Sequence, residues 1–96
     1  MYWDIITAEY VDGYRIKAYF RDGKSGVVDL ASCIAEGGVF RAIADKDEFK
    51  KFMVDPDWHV LSWQGGLIDI APETVYLHAT GAMPLQRVAE SRPSYG

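Results

Sequence analysis

A chain of 96 residues is long enough for one domain and too short for two, because at this size only about two-thirds of the unfolded surface is buried on folding. Hydrophobic residues make up 49% of it and aromatics 14%; at roughly 25 cal/mol per Å² buried, that is enough for a packed core and excludes disorder of the whole chain. The formal charge of −4 leaves no basic surplus for phosphates, so nucleic-acid binding by this chain on its own is disfavoured. Cys33 is the only cysteine, which rules out an internal disulfide and points to a reducing, cytoplasmic setting. With no leader-like start and no apolar run near the roughly 20 residues of a bilayer span, export and membrane insertion are not expected.

In chain order, Trp3 to Val11 is rich in Ile, Val, Thr and aromatics and stops at Asp12-Gly13. Tyr14, Ile16, Ala18 and Phe20 then alternate with Arg15, Lys17, Tyr19 and Arg21, the period of a strand with one face on a core. Asp22-Gly23 precedes Gly26 to Leu30. Asp-Gly favours tight hairpins, so these three runs are expected to form an antiparallel meander. Asp29 is placed to cap a short helix over Leu30 to Glu36, ended by Gly37-Gly38. Asp45 and Glu48 suggest a reciprocal cap for a second helix that puts Phe49, Phe52 and Met53 on one face.

Asp55-Pro56-Asp57 breaks that helix. Trp58 to Trp63 reads as a strand, Gln64-Gly65-Gly66 as a turn and Leu67 to Ile70 as the paired strand. Pro72 and Glu73 suit the first turn of a last helix with Val75, Tyr76 and Ala79 on its apolar stripe. The fold class predicted is α+β: a meander and a second hairpin with two or three short helices packed on one face, in two layers. Residues 1–80 are expected to be the single domain and 81–96 a flexible tail, where Met83, Leu85 and Val88 make at most a short turn.

The Tyr14–Phe20 strand, Phe20-Arg21-Asp22-Gly23, Val28-Asp29-Leu30, Phe40-Arg41-Ala42-Ile43 and, above all, Trp63-Gln64-Gly65-Gly66-Leu67-Ile68-Asp69-Ile70-Ala71-Pro72-Glu73-Thr74 resemble the bacterial family called domain of unknown function 2442. The resemblance covers roughly Trp3 to His78. It implies a small α+β domain, in some members followed by a helix-turn-helix and in many encoded beside a small protein of the domain of unknown function 4160 type in a toxin–antitoxin-like pairing. A regulatory or protein-contact role follows from that resemblance, with the neighbouring protein or a second copy, as a homodimer, as partner. It supplies no catalytic residues, and too few residues follow Ala79 for a helix-turn-helix.

Chemistry-bearing residues are sparse. Asp69 and Glu73, with His59 or His78, contain the groups of an acid–base or metal site; the competing assignment is that both acids serve the start of the last helix. His59, His78 and Cys33 have no short ligand spacing, so no metal or cofactor is expected. Cys33 near a helix start suits a nucleophile less well than a small buried apolar group. Neither Gly37-Gly38 nor Gly65-Gly66 has the flanking residues of a phosphate loop.

Arg15, Lys17, Tyr19 and Arg21 form a basic stripe with one aromatic that is either a nucleic-acid platform or a solvated strand face. Trp58 and Trp63, five residues apart, point to opposite faces of a regular strand. Trp63 is assigned to the core with Leu61. Trp58 then joins Val60, Tyr19, Arg15 and Lys17 as a candidate partner interface, unless a bulge near His59 turns it inward. The leading function is therefore an interaction or regulatory module. The alternative is a small-molecule-binding or enzymatic domain built on Asp69, Glu73 and a histidine.

Overall fold

The computed structural model describes residues 1–81. Strands β1 (Ile5–Asp12), β2 (Arg15–Phe20) and β3 (Ser25–Asp29) form the expected antiparallel meander in the order β1-β2-β3. Its alternation holds: Ile16, Ala18 and Phe20 are buried together with Ile5 and Val28, while Tyr14 packs on the edge of the core. The turns differ from expectation. Asp12 pairs with Arg15, so the first loop is Gly13-Tyr14, with Gly13 at φ 48°. The second loop spans four residues, because the Asp22 carboxylate accepts the Lys24 amide at 2.9 Å and the Phe20 amide closes on the Lys24 carbonyl. An aspartate that bonds the backbone two residues on lengthens a turn in this way.

The Asp29 carboxylate accepts the Ala31 amide at 2.9 Å and opens helix α1 (Ala31–Glu36). A 3₁₀ segment over Gly38–Ile43, absent from the sequence reading, then buries Ile43. Helix α2 (Lys46–Phe49) is shorter than expected. Asp45 accepts from Asp47 rather than near Glu48, and Glu48 pairs with Lys51 at 3.0 Å instead of reaching back. Met53 leaves the proposed helical face altogether and lies exposed in β4 (Met53–Val54). The cause is tertiary: the Phe49 carbonyl, which a longer helix would use in its ladder, accepts the Trp63 indole N–H at 2.7 Å.

Strands β5 (Leu61–Trp63) and β6 (Ile68–Ile70) complete a second antiparallel sheet of order β4-β5-β6. β5 starts three residues later than expected, since residues 56–58 form a turn. Helix α3 (Pro72–Thr80) buries Val75 and Tyr76 and packs on β2 and β3. Its N-cap is Ala71, with no side-chain cap bond; the expectation that Asp69 caps it is corrected, because Asp69 is held in β6 by its pairing with Ser62. The approach of α3 to the sheet is set at Gly26, where a Cβ would lie 2.0 Å from the Ala79 carbonyl oxygen. Among the described residues, no helix is long and apolar enough to cross a membrane. Apart from Gly81, the expected tail, with Met83, Leu85 and Val88, lies outside the described residues.

Candidate binding cleft beside Trp58

The loop before β5 is held by its own backbone. Asp55 Oδ1 accepts the amides of Asp57 (2.8 Å) and Trp58 (2.9 Å). The Asp55 amide donates to the Val60 carbonyl at 2.9 Å, and the His59 amide donates to the Asp55 carbonyl at 2.8 Å. His59 takes φ 56°, its carbonyl accepts the Ile5 amide at 3.1 Å, and its Nε2 lies 3.4 Å from the Arg21 guanidinium. His59 precedes β5 rather than forming the anticipated bulge within it, and Trp58, in the turn of residues 56–58, stays outward and 76% exposed. The amides of Trp58 and Asp57, with a smaller contribution from His59, hold the Asp55 carboxyl below its ordinary value against the opposing effect of burial. Asp55 is therefore an anion at neutral pH.

Beside this loop lies a cleft of about 390 Å³, lined by Asp55, Trp58, Val60, Ser62, Gly65, Gly66 and Asp69. Ser62 alternates with the buried Leu61 and Trp63, and it is flanked across the ladder by Met53 and Asp69. It is 1% exposed, and its Oγ has no hydrogen-bond partner among the described residues. Leaving a buried hydroxyl unpaired costs about 1–3 kcal/mol. Leu67, which follows the glycines, is 81% exposed.

The structure thus joins Trp58 and Val60 in one cleft and carries Arg15, Lys17 and Tyr19 on a strand of the other sheet. There, Arg15 is forked onto Asp12 with two contacts of 2.6 Å, a pairing that raises its pKa. Lys17 Nζ sits 5.2 Å from the centre of the Tyr19 ring. Asp69 lines the cleft, whereas Glu73 lies in the first turn of α3, His78 in its last turn and His59 beside Arg21. Among the described residues, no three His, Cys, Asp or Glu side chains are grouped to hold a metal ion. The Cys33 thiol is pushed up by burial and by Glu36, away from thiolate chemistry. Sequence reasoning missed Asp55 and Ser62. Their signals were an aspartate two and three residues before backbone amides that need an acceptor, and a serine on the outer phase of an apolar strand.

Fold and cleft define a small two-sheet α+β domain with an open cleft beside Trp58. The chain belongs to the family described as "Protein of unknown function (DUF2442)", which it matches over residues 5–81. No curated protein matches it. It is similar in fold to a crystal structure from Nitrosomonas europaea described as that of a "Putative DNA Binding Protein", with a TM-score of 0.71 at 17% identity. That likeness covers 81% of this chain and 49% of the other, so this chain spans about half of its neighbour's length.

Proposed function

We propose that this domain is a protein-interaction module of a regulatory kind and that the Trp58 cleft is its contact surface. The observation that carries the reading is the exposure of Trp58 on a loop whose backbone bonds fix its position. Large aromatics in fixed positions on a surface are the usual anchors of interfaces, because little entropy is lost when they are covered. Val60 lines the same cleft, and Leu67, which follows Gly66 of its lining, is 81% exposed. A small protein encoded next to this one, in the pairing the family resemblance implies, and a second copy of the chain are the partners to test first.

The DNA-binding description belongs to a neighbour of which the match covers only 49%. For this domain by itself, the charge of −4 and the pairing of Arg15 with Asp12 and of Arg21 with Asp4 argue against a phosphate-binding face.

A photoreactive amino acid placed at position 67 tests the reading in cells. It is expected to give a discrete protein adduct that disappears when Trp58→Ala is added to the same chain. Adducts no stronger than those from exposed Glu9, or adducts indifferent to Trp58→Ala, would overturn it.

A further inference from the structure

The cleft has a more specific chemistry than an apolar docking face. Two carboxylates, Asp55 and Asp69, stand on its walls, an indole stands at its rim, and Ser62 contributes a buried hydroxyl that lacks a partner among the described residues. Both loop amides use Oδ1 of Asp55, so Oδ2 keeps its acceptor capacity. No lysine or arginine is among the lining residues.

Two carboxylates lining one cleft with an exposed indole suit a cation that is flat and carries several N–H donors. A guanidinium has five donors in a plane and stacks on indole, whereas an ammonium is a compact, strongly hydrated point charge with no planar face to stack. We propose that the cleft receives an arginine side chain of a partner polypeptide, its guanidinium bonded by Asp55 and Asp69, stacked on Trp58 and donating to Ser62 Oγ. The inference rests on the interaction reading above and names the chemistry of the partner.

A polypeptide is favoured over a free amino acid by what surrounds the cleft. Trp58, Leu67 and Met53, the last beside Ser62 across the ladder, are 76%, 81% and 44% exposed. These give apolar residues flanking the arginine a surface to cover, which a free arginine would leave in water. A cleft of about 390 Å³ also admits a side chain but not a folded element.

The test is a ¹⁵N NMR titration of the full chain with acetyl-Leu-Arg-Leu-amide, its citrulline and lysine counterparts, and free arginine. The arginine peptide is expected to shift the Trp58 indole N–H and the Gly65, Gly66 and Asp69 amides saturably, and the neutral citrulline peptide to bind at least about tenfold more weakly. Asp69→Asn should weaken binding with an unchanged melting temperature, and Ser62→Ala should weaken it while raising that temperature. Glu9→Gln, which removes a remote charge, should leave the affinity unchanged. Equal binding of citrulline, shifts scattered away from the cleft, indifference to Asp69→Asn, or free arginine binding as tightly as the peptide would each overturn the inference. If the cross-link from position 67 survives Asp69→Asn, the arginine assignment fails and the interaction module stands; if no adduct forms at all, both fail.

Discussion

Trp63 and Ser62 are neighbours with opposite energetic roles. The Trp63 indole is fully buried and its N–H satisfies the Phe49 carbonyl, so it both fills the core and ends α2. Trp63→Phe removes the donor and strands that carbonyl, and a loss of about 2 kcal/mol is expected in urea unfolding. Ser62→Ala goes the other way: it removes a buried hydroxyl with no partner among the described residues, and a gain of about 1 kcal/mol is expected by the same measurement. The carboxylates set the acid limb. Burial raises the Asp22 pKa, but the Lys24 amide and the Tyr76 hydroxyl at 2.7 Å outweigh it, and the carboxyl ends below its ordinary value of 3.8. Asp4 is also lowered, with the amino terminus and Arg21 outweighing burial, as is Asp12 through Arg15. A lowered folded-state pKa gives stability that is present above the unfolded value and lost as pH falls through the folded one. Stability should therefore decline on acidification below about pH 4. Asp22→Asn should be less stable than wild type at neutral pH, with the difference closing as the acid limb is descended.

Among the elements, α3 depends most on a single position. At Gly26 the helix backbone lies where a side chain would begin, so Gly26→Ala has to push α3 off β3, and a cost of about 3 kcal/mol in thermal or urea melts is expected. The meander was legible because one face of β2 is buried and the other is not, which writes a period of two into Tyr14 to Arg21. The start of α3 was legible from Pro72 and Glu73. The 3₁₀ segment over Gly38–Ile43 and the truncation of α2 were not, because contacts distant in sequence decide them: Trp63 takes the Phe49 carbonyl, and the Tyr14 hydroxyl takes that of Ala44. The same distinction holds at the cleft. Strand alternation predicts an outward Trp58, but the residue is exposed because residues 56–58 turn before β5 begins. Asp55 and Ser62 could not be assigned to the cleft from the chain, since only the closed loop and the pairing of β5 with β6 bring them to Asp69.

At the scale of the whole molecule, the meander with α3 forms the frame and the second sheet carries the exposed chemistry. The two are tied where the Ile5 amide meets the His59 carbonyl and where the Arg21 guanidinium lies 3.4 Å from His59 Nε2. The family match spans both parts, residues 5–81, so frame and cleft belong to one inherited unit. The central claim is that Trp58 serves contact rather than folding. It is tested most directly by measuring Trp58→Ala twice: its urea unfolding free energy, and the dissociation constant of the complex with the cross-linked partner. Unfolding within about 0.5 kcal/mol of wild type is expected, as for other exposed positions, together with at least about tenfold weaker binding, the loss of an interface anchor. A loss of more than about 2 kcal/mol in folding, which marks a core residue, or an unchanged dissociation constant would contradict the claim.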